Sequence, residues 1–450
     1  MNRRDFLTAT AAALVPVRRD RQLERPVPSP QQLAWQRDEL AIFVHFGVNT
    51  FTDREWGDGK EDPRIFAPAR LDATQWARAA KTGGFKSMIL TAKHHDGFCL
   101  WPTDTTGYSV RSSAWRDGRG DLVREFVDAC RAEGLGVGLY LSPWDRHEPR
   151  YGDSPAYNDF YVRQLTELLT RYGPLVEVWF DGANGEGPNG KRQVYDWPLF
   201  HRTVRALQPK ALMFSDAGPD IRWIGNERGI AGDPNWCTMN PESVPEPGMA
   251  GEAVTRLLQH GEPHGTVWRP GEADVSIRPG WFWHPAQDEQ VRNAENLAEL
   301  YFFSVGRNAN LLLNVPPTSD GLFHATDVRR LGEFGEWRRA VFARDLAAGA
   351  RRRVAGQRVL ELELPQPVTF DVASLQEEIA RGQCVERYTL EAWTGAAWSA
   401  LSRGTTIGHR KLDRFPPVLA SRVRLTIEGA LGTPRIGSLG LYDSRAAVAR

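Results

Sequence analysis

The stretch LVEVWFDG, residues 175–182, has the pattern of a buried strand that ends on a carboxylate. Apolar residues alternate along it, Asp181 closes it, and Gly182 opens a turn. Alternation with a period of two is typical of a β-strand. In many α/β enzymes the carboxyl ends of the strands carry the reacting groups. The stretch therefore predicts an α/β fold and marks Asp181 as a candidate for chemistry.

Strand and helix patterns alternate on both sides of this stretch. Further apolar strands are predicted within residues 40–47, 85–98, 135–144 and 211–218, and helices within residues 71–84, 120–134, 156–173 and about 190–208. Nearly continuous apolar strands separated by helices predict a parallel sheet covered by helices. Five or more such units favour a closed barrel over an open, doubly wound sheet. No G-x-G-x-x-G follows the first strand, which weakens a dinucleotide-binding alternative.

The pattern changes character twice towards the C-terminus. After residue 216 it is irregular and rich in Gly, Pro and Trp, and it becomes regular again in residues 288–317, a predicted long helix and a strand that closes the barrel. From about residue 350, short alternating strands separated by turns predict a β-sandwich. The predicted class is thus α/β: a (β/α)8-like barrel over residues 31–345, followed by a β-sandwich over residues 350–450.

Residues 1–30 are predicted to be an export signal and a linker. Arg3 and Arg4, followed by an apolar run to Val17, resemble a twin-arginine signal, and the run is too short to span a bilayer. This pattern predicts a periplasmic or secreted protein, and a frayed cytosolic terminus is the alternative. The segment RPVPSPQQ, residues 25–32, is interpreted as linker, and no later stretch is predicted to cross a membrane.

Composition argues against several classes of protein. The 56 basic and 56 acidic residues balance, so there is no electrostatic reason to expect binding to nucleic acid or to an anionic membrane. The four cysteines lack CxxC spacing, which argues against a disulfide framework or a zinc site. The 16 tryptophans fit either core packing or stacking against sugar rings.

Polar and aromatic residues follow the ends of consecutive predicted strands. They are His45, then His94, His95 and Asp96, then Tyr140 and Trp144, then Trp179 and Asp181, and finally Asp216. A single histidine would more often be a core residue bonded to backbone, but several at consecutive strand ends indicate a pocket. Adjacent strand residues point to opposite faces, so His94 and His95 could share a metal ion only where the strand has broken. We therefore expect no metal or cofactor, and imidazoles that bond sugar hydroxyls.

Carboxylate chemistry fits these residues better than a serine nucleophile, because the sequence has no G-x-S-x-G. Glycoside hydrolysis uses two carboxyl groups: one attacks or activates water, and the other protonates the leaving oxygen. Asp181 is the first candidate. The second is expected on a later loop, where Glu186, Glu227 and Glu272 are all possible.

Seven stretches in order resemble the α-L-fucosidases of glycoside hydrolase family 29. They are IFVHFGVNTF, EWGDG, TAKHHDGFCLW, YLSPWDRH, EVWFDGANG, SDAGPDIRWIGNERG and SIRPGWFWH, and the resemblance spans about residues 35–320. It implies a barrel with a β-sandwich and a retaining mechanism in which Asp181 is the nucleophile. Through the branch that acts on α-1,3/4-linked fucose it implies Glu227 as acid/base. The substrate implied is a fucosylated oligosaccharide or glycoprotein glycan.

The resemblance also implies the residues that hold the sugar. They are His45, His94, His95 and Trp179, with Trp56, Tyr140, Arg278 and Trp281 carried over as well. For a Lewis-type substrate, a second sugar arm would meet the irregular stretch, which supplies Arg222, Trp223, Trp236, Trp268 and Arg269. The alternatives are a fucosidase of relaxed specificity, a different barrel glycosidase such as a galactosidase or xylosidase, and a non-catalytic carbohydrate-binding protein on the same fold.

Overall fold

The computed structural model describes residues 25–447, so the twin-arginine pattern lies outside the described residues and the export prediction stays a prediction. The segment interpreted as linker leads directly into helix α1 (Pro30–Asp38). Ser29 and Gln32 form a reciprocal capping box at the start of α1, which explains why a Pro-rich stretch becomes helical here. No helix within residues 25–447 is long and apolar enough to cross a bilayer.

Eight parallel strands form a closed barrel. Up to residue 314 the strands are β1 (Leu40–Val44), β2 (Ser87–Lys93), β3 (Gly136–Leu141), β4 (Glu177–Trp179), β5 (Leu212–Ser215), β6 (Ile221–Trp223), β7 (Thr238–Met239), β8 (Val267–Trp268), β9 (Gly271–Ser276) and β10 (Ala309–Asn314). All except β7 and β8, which pair with each other in a separate two-stranded sheet, belong to the barrel, which closes through β10 onto β1. The predicted (β/α)8-like barrel is confirmed.

Helices cover the outside of the barrel. They are α2 (Val48–Thr52), α3 (Ala73–Gly83), α4 (Leu122–Ala132), α5 (Ser154–Arg171), α6 (Trp197–Leu207), α7 (Glu252–His260), α8 (Ala294–Phe303) and α9 (Ala325–Phe342). Asp72 caps α3 and Gly84 ends it in the left-handed conformation, and both residue types are typical of these positions. The helix predicted over residues 190–208 is shorter, because α6 begins only at Trp197 and the preceding residues form a loop.

The barrel departs from a regular alternation between β5 and β9. Residues 216–220 join β5 to β6 without a helix. Residues 224–270, called here the excursion, contain the antiparallel pair β7–β8, with α7 between the two strands in the chain, and lead from β6 to β9. The irregular composition after residue 216 therefore corresponds to a long insertion between two barrel strands.

Aromatic side chains fill the barrel interior beneath its C-terminal mouth. Phe43, Tyr140, Trp179 and Phe214 belong to one buried cluster, and Trp179 stacks on Phe214 with ring centroids 4.0 Å apart. Trp35 of α1 joins the same cluster from the other end of the barrel. The interior is thus a packed core that supports the residues at the mouth.

The C-terminal domain is antiparallel, as predicted for a β-sandwich. Its strands are β11 (Arg351–Ala355), β12 (Val359–Glu377), β13 (Val385–Trp393), β14 (Trp398–Gly404), β15 (Lys411–Ala430) and β16 (Ile436–Tyr442). The two longest, β12 and β15, change register twice along their pairing. Leu362, Tyr388 and Leu425 are part of a separate apolar core.

Candidate active site

Asp181 lies at the C-terminal mouth of the barrel. Side chains alternate along β4, and Trp179 points into the barrel, so Asp181 points to the same side. Its Oδ2 accepts a hydrogen bond from Tyr140 Oη at 2.9 Å, and its Oδ1 accepts one from the Ala183 N–H at 2.7 Å. His95 Nε2 is 3.8 Å from Oδ2, and 26% of the aspartate side chain is exposed. The carboxylate is held in place and remains accessible to a ligand.

The proton on His95 is assigned by its neighbours. The Ser142 hydroxyl donates to the Trp144 carbonyl at 2.6 Å, so its oxygen must accept the bond from His95 Nδ1, at 2.7 Å. Burial lowers the pKa of His95, against the opposing effect of Asp181. The ring is therefore neutral, with the proton on Nδ1 and the lone pair on Nε2 available to a sugar hydroxyl.

The proton on His45 is assigned in the same way, from the partner of its Nδ1. Asn314 uses its amide nitrogen to donate to Ser276 Oγ at 2.9 Å and to the Trp281 carbonyl at 2.8 Å, which leaves its Oδ1 to accept from His45 Nδ1 at 2.8 Å. Burial lowers the pKa of His45 to about 3. Its Nε2 is therefore a second neutral acceptor in the pocket.

His94 and His95 both reach the pocket, because β2 ends at Lys93 before either residue. The pairing of β2 with β3 already slips between Thr91 and Lys93. The two imidazole centroids are 4.1 Å apart, so the opposite-face rule for adjacent strand residues does not apply. Burial, followed by the neighbouring histidines, lowers the pKa of His94 well below its ordinary value, and its Nδ1 has no hydrogen-bond partner within residues 25–447. The pocket thus offers three uncharged imidazoles.

Three indoles form flat surfaces around these polar groups. Trp179 is the floor, and its Nε1 donates to Glu272 Oε2 at 3.1 Å. Trp281 lies beside His45 with ring centroids 5.1 Å apart. Trp56, 58% exposed, stands at the rim 6.3 Å from the His95 ring. Such a mixture of flat apolar surface and a few directed polar groups is typical of a small-molecule site.

Glu227 lies on the rim, in the excursion just after β6. The Trp281 Nε1–H donates to its Oε2 at 3.3 Å. The protein packed around the carboxyl raises its pKa, and the negative charges of Asp181 and Glu55 add to this effect, while the bond from Trp281 opposes it. A carboxyl that keeps its proton to higher pH beside an ionised partner is suited to be a proton donor.

The other two candidate acids are placed differently. The loop position predicted for Glu272 is wrong, because this residue lies within β9. There it is fully buried beneath Trp179 and has no access to a leaving group. Glu186 lies on the exposed loop after β4, and its main-chain carbonyl accepts from Trp144 Nε1 at 3.0 Å. Of the three, Glu227 is the one whose carboxyl both bonds a pocket residue and is exposed at the rim.

Arg278 is not brought to the pocket. It is buried in an ion-pair cluster, with its Nε 2.9 Å from Asp327 Oδ2 and its Nη1 2.8 Å from Asp288 Oδ1. Asp327 belongs to α9, so the arginine faces the helix layer. The substrate contact predicted for Arg278 is not supported.

Most of the residues expected to meet a second sugar arm instead hold the excursion together. Arg222 is fully buried and donates to the Leu258 carbonyl and to Asn235 Oδ1. Trp236 and Trp268 are also buried. Trp223 alone of the five faces the barrel interior, because alternation along the short β6 turns it inward.

Asp274 is a pocket carboxyl that the sequence reasoning missed. It is 4% exposed, and its Oδ1 accepts from Trp223 Nε1 at 2.7 Å. The signal was present: in GEADVS, residues 271–276, Glu272, Asp274 and Ser276 alternate and so share one face of β9.

Hydrolysis of a glycosidic bond needs two carboxyl groups beside a sugar ring, and this mouth combines carboxyl groups with uncharged hydrogen-bonding groups and flat apolar surfaces. Fold and site together define a glycoside hydrolase of the barrel class. Residues 60–341 match the family model described as alpha-L-fucosidase. The chain is 45% identical over 450 residues to alpha-L-fucosidase 1 of Arabidopsis thaliana, covering 93% of this chain and 87% of that protein.

Solved structures agree with this match. A glycoside hydrolase 29 family member from an unknown rumen bacterium is 42% identical, with a TM-score of 0.88 over 93% of this chain and 78% of that one. A family 29 fucosidase of Ruminococcus gnavus, solved in complex with fucose, is 33% identical, with a TM-score of 0.84 over 96% of this chain and 97% of that one. The chain belongs to the α-L-fucosidase family, glycoside hydrolase family 29, and its activity is the hydrolysis of α-L-fucosides.

Proposed function

We propose that the protein is a retaining exo-α-L-fucosidase in which Asp181 is the nucleophile and Glu227 the acid/base. In the first step an Asp181 oxygen bonds to the anomeric carbon while the bond to the leaving oxygen breaks, and that oxygen takes the Glu227 proton. In the second step the Glu227 carboxylate removes a proton from water, the water oxygen bonds to the anomeric carbon, and Asp181 leaves. Two displacements give net retention.

The observation that carries this proposal is the pairing of an accessible aspartate with a rim glutamate of raised pKa. Tyr140 and the Ala183 N–H hold the Asp181 carboxylate. The charge of Asp181 is one of the causes that raise the pKa of Glu227, so each carboxyl is within reach of the other's field. This is the arrangement expected of a nucleophile and a proton donor.

For fucose itself we propose contacts from the neutral histidines and the indoles. The Ruminococcus gnavus relative was solved with fucose, which supports assigning the same sugar to this pocket. His45 and His95 present lone pairs to sugar hydroxyls, and Trp179 and Trp281 offer surfaces for the apolar face of the ring. Trp56, Tyr140 and His94 complete the proposed set.

We further propose that the natural substrates carry α-1,3/4-linked fucose on a branched glycan. The resemblance of WIGNERG to that branch of the family motivates the proposal. A cavity of about 240 Å³ beside the mouth gives a second sugar arm somewhere to lie, and Trp197, Pro247 and Arg269 are among the residues that line it. Gly248, next to the lining residue Pro247, packs against Gly182, so the cavity borders the loop that carries Asp181.

The test compares a Lewis-type trisaccharide, 2'-fucosyllactose and 4-nitrophenyl fucoside. Contacts with a remote arm can be used at the reacting centre, so substrates without the arm should lose kcat as well as affinity. Arm contacts worth about 3 kcal/mol would give the trisaccharide an advantage of about 100-fold in kcat/KM. Equal cleavage of all three would overturn the linkage proposal and leave the fucosidase activity standing.

The stereochemical part has its own readout. A proton NMR spectrum recorded in the first minutes of hydrolysis should show α-fucose before mutarotation. If β-fucose forms first, the enzyme inverts and Asp181 is not a covalent nucleophile, whatever the linkage preference.

A further inference from the structure

The inward-facing residues of β9 each accept a hydrogen bond from a side chain of the pocket. Glu272 accepts from Trp179, Asp274 from Trp223, and Ser276 from Asn314, the residue that fixes His45. Glu272 lies deepest and supports the floor. Asp274 is the next inward residue along β9 towards the mouth, and neither the reaction nor the family resemblance assigns it a role.

Asp274 is linked to the segment that carries Glu227 through its main chain. Its carbonyl accepts from the Gly229 N–H at 3.1 Å, two residues after Glu227. Gly229 has a φ of +70°, and a Cβ there would meet Val275 at 2.9 Å, so this segment sits tightly against β9. The main chain of β9 thus fixes one end of the Glu227 segment.

The Asp274 side chain adds a second link through Trp223. That indole packs against the barrel-interior cluster on one side and against the excursion cluster, which includes Met239 and Leu258, on the other. Its Nε1–H is directed at Asp274 Oδ1 at 2.7 Å. Trp223 therefore joins the excursion to the barrel, and Asp274 determines its orientation.

The electrostatics of the site agree with an uncharged Asp274. Burial raises its pKa well above the ordinary value, and the negative charges of Glu227 and Asp181 raise it further. A protonated carboxyl still accepts from an indole N–H. It also avoids placing a third negative charge beside the two carboxyl groups of the reaction.

We propose that Asp274 is a positioning residue for fucoside hydrolysis, which fixes Trp223 by its side chain and the Glu227 segment by its main chain, and so sets the place of Glu227 at the leaving oxygen. The proposal rests on Glu227 as the proton donor. Asp274 itself is not assigned a contact with the substrate or a proton transfer.

Three variants separate this role from simple packing. Asp274→Asn keeps an acceptor for Trp223 and cannot ionise, Asp274→Leu keeps the volume and removes the acceptor, and Trp223→Phe removes the donor. Trp268→Phe is the matched control, because Trp268 is a buried indole within the excursion and donates instead to Gln36 Oε1 at 3.0 Å.

We expect Asp274→Asn to retain kcat/KM within about threefold, since the amide oxygen replaces the carboxyl oxygen. Leaving the buried indole N–H unpaired should lower kcat/KM of Asp274→Leu by about 10- to 100-fold. The loss should fall on kcat for substrates with poor leaving groups, while the inhibition constant of free fucose stays unchanged. Trp223→Phe should lower kcat/KM by a similar factor. The double variant, with both Asp274→Leu and Trp223→Phe, should lose no more kcat/KM than either single variant.

The proposal is overturned if Asp274→Leu keeps full activity, if Asp274→Asn is as damaging as Asp274→Leu, or if Trp268→Phe lowers kcat to the same extent. A shift of the basic limb of the pH profile in Asp274→Asn would also overturn it, because Asp274 would then act through its charge. If Asp274→Leu does not fold, Asp274→Asn and Trp223→Phe still decide the question. Glu227→Gln is measured in parallel. Full activity of this variant on substrates with poor leaving groups would show that Glu227 is not the proton donor. The coupling between Asp274 and Trp223 is measured separately, by comparing the double variant with the two single variants.

Discussion

Individual side chains in this pocket have protonation states that follow from their partners. Ser142 and Asn314 each present an acceptor to an imidazole Nδ1, which fixes the tautomers of His95 and His45 and leaves both Nε2 lone pairs directed away from those partners. Tyr140, whose pKa burial raises well above its ordinary value, keeps the proton that it donates to Asp181. These uncharged groups therefore place no positive charge beside Asp181, the proposed nucleophile.

The Asp181→Gly variant tests the nucleophile. Removing the carboxylate should lower kcat by several orders of magnitude, because the covalent step depends on it. Azide should restore part of the activity by entering the space that the side chain vacates, and the product should be β-fucosyl azide. The measurement is release of 4-nitrophenol with and without azide, and near-normal activity in the variant would refute the assignment.

The Trp281→Phe variant tests the proton donor through the pH profile. The raised pKa of Glu227 means that the acid form persists above the ordinary range of a glutamate, and kcat/KM falls as pH rises through this pKa. The bond from Trp281 stabilises the ionised form, so its loss should move the basic limb to higher pH. Glu227→Gln should abolish the limb, and Glu186→Gln, on the exposed loop, should leave it in place. An unmoved limb in Trp281→Phe would show that another group titrates.

The position of Asp181 at the barrel mouth could be predicted from the sequence, because it follows from a single short pattern, an apolar strand that ends on a carboxylate. Glu272 could not be assigned correctly, since the sequence does not show that GEADVS forms barrel strand β9 rather than a loop. Arg278 follows the same strand, but its pairing with Asp327 joins residues 49 positions apart. Contacts of this kind depend on packing between elements and leave no local pattern.

Among the elements, the strands that were hardest to predict are also those that shape the site. β6 has only three residues, which is too short to show a periodic pattern, and no helix precedes it. It nevertheless turns Trp223 towards the barrel interior. The helices with local signals were predicted well, and α3 with its Asp72 cap and Gly84 stop is the clearest case. Where such signals are missing the prediction was wrong, as for the early start expected of α6.

Strands β4 and β9 also place two carboxyl groups inside the barrel, and this has a consequence for stability. Glu177 accepts from Trp35 Nε1 at 3.0 Å. Burial raises the pKa of Glu177 to about 7, and burial followed by the charge of Glu177 raises that of Glu272 well above its ordinary value. The folded state keeps protons that the unfolded chain releases above pH ~4.5, so the free energy of unfolding falls as pH rises towards 7 and beyond.

The Glu272→Gln variant should flatten this pH dependence. The amide oxygen still accepts from Trp179, but the side chain no longer titrates, so up to about 1.4 kcal/mol per pH unit of slope is lost. At pH 8 the variant should be more stable than the wild type, because no charge is buried at position 272. Urea unfolding at several pH values measures the slopes. Glu363→Gln, on the exposed face of β12, is the control, and parallel curves for Glu272→Gln and the wild type would contradict the expectation.

On the scale of the whole molecule, the C-terminal domain joins the barrel at the end opposite to Asp181. The Leu412 N–H donates to the Gly306 carbonyl at 3.0 Å and the His409 N–H to Asn308 Oδ1 at 2.7 Å, both just before β10 begins. On the outer face of the domain, Trp393 and Trp398 pack edge to face. Arg422 lies over both rings, so a cation covers part of their aromatic surface.

One ionic link between the two domains is centred on Glu39, which immediately precedes β1. Its Oε1 is 3.1 Å from His409 Nε2 and 2.9 Å from Arg410 Nε, and its Oε2 accepts from Tyr301 Oη at 3.0 Å. Burial alone would raise the pKa of Glu39, but His409, Arg410 and Tyr301 outweigh burial and lower it. This cluster therefore stabilises the fold above the ordinary pKa of a glutamate, and the contribution is lost as pH falls.

The Glu39→Gln variant should loosen the C-terminal domain without affecting catalysis. Breaking a fully buried pair costs about 3–5 kcal/mol, and we expect about 2 kcal/mol here because Arg410 retains some contact with water.

Glu299→Gln is the matched control: its pair with Arg414 crosses the same interface but is 42% and 41% exposed, so its loss should cost less than about 1 kcal/mol. Urea unfolding measures both, and hydrogen exchange should quicken in β15 and β16 of Glu39→Gln before it does so in β1. Since Glu39 lies at the far end of the barrel, kcat/KM for 4-nitrophenyl fucoside should stay unchanged in both variants. Equal stability losses in the two variants would mean that the buried Glu39 cluster holds the domains together no more strongly than the exposed pair does.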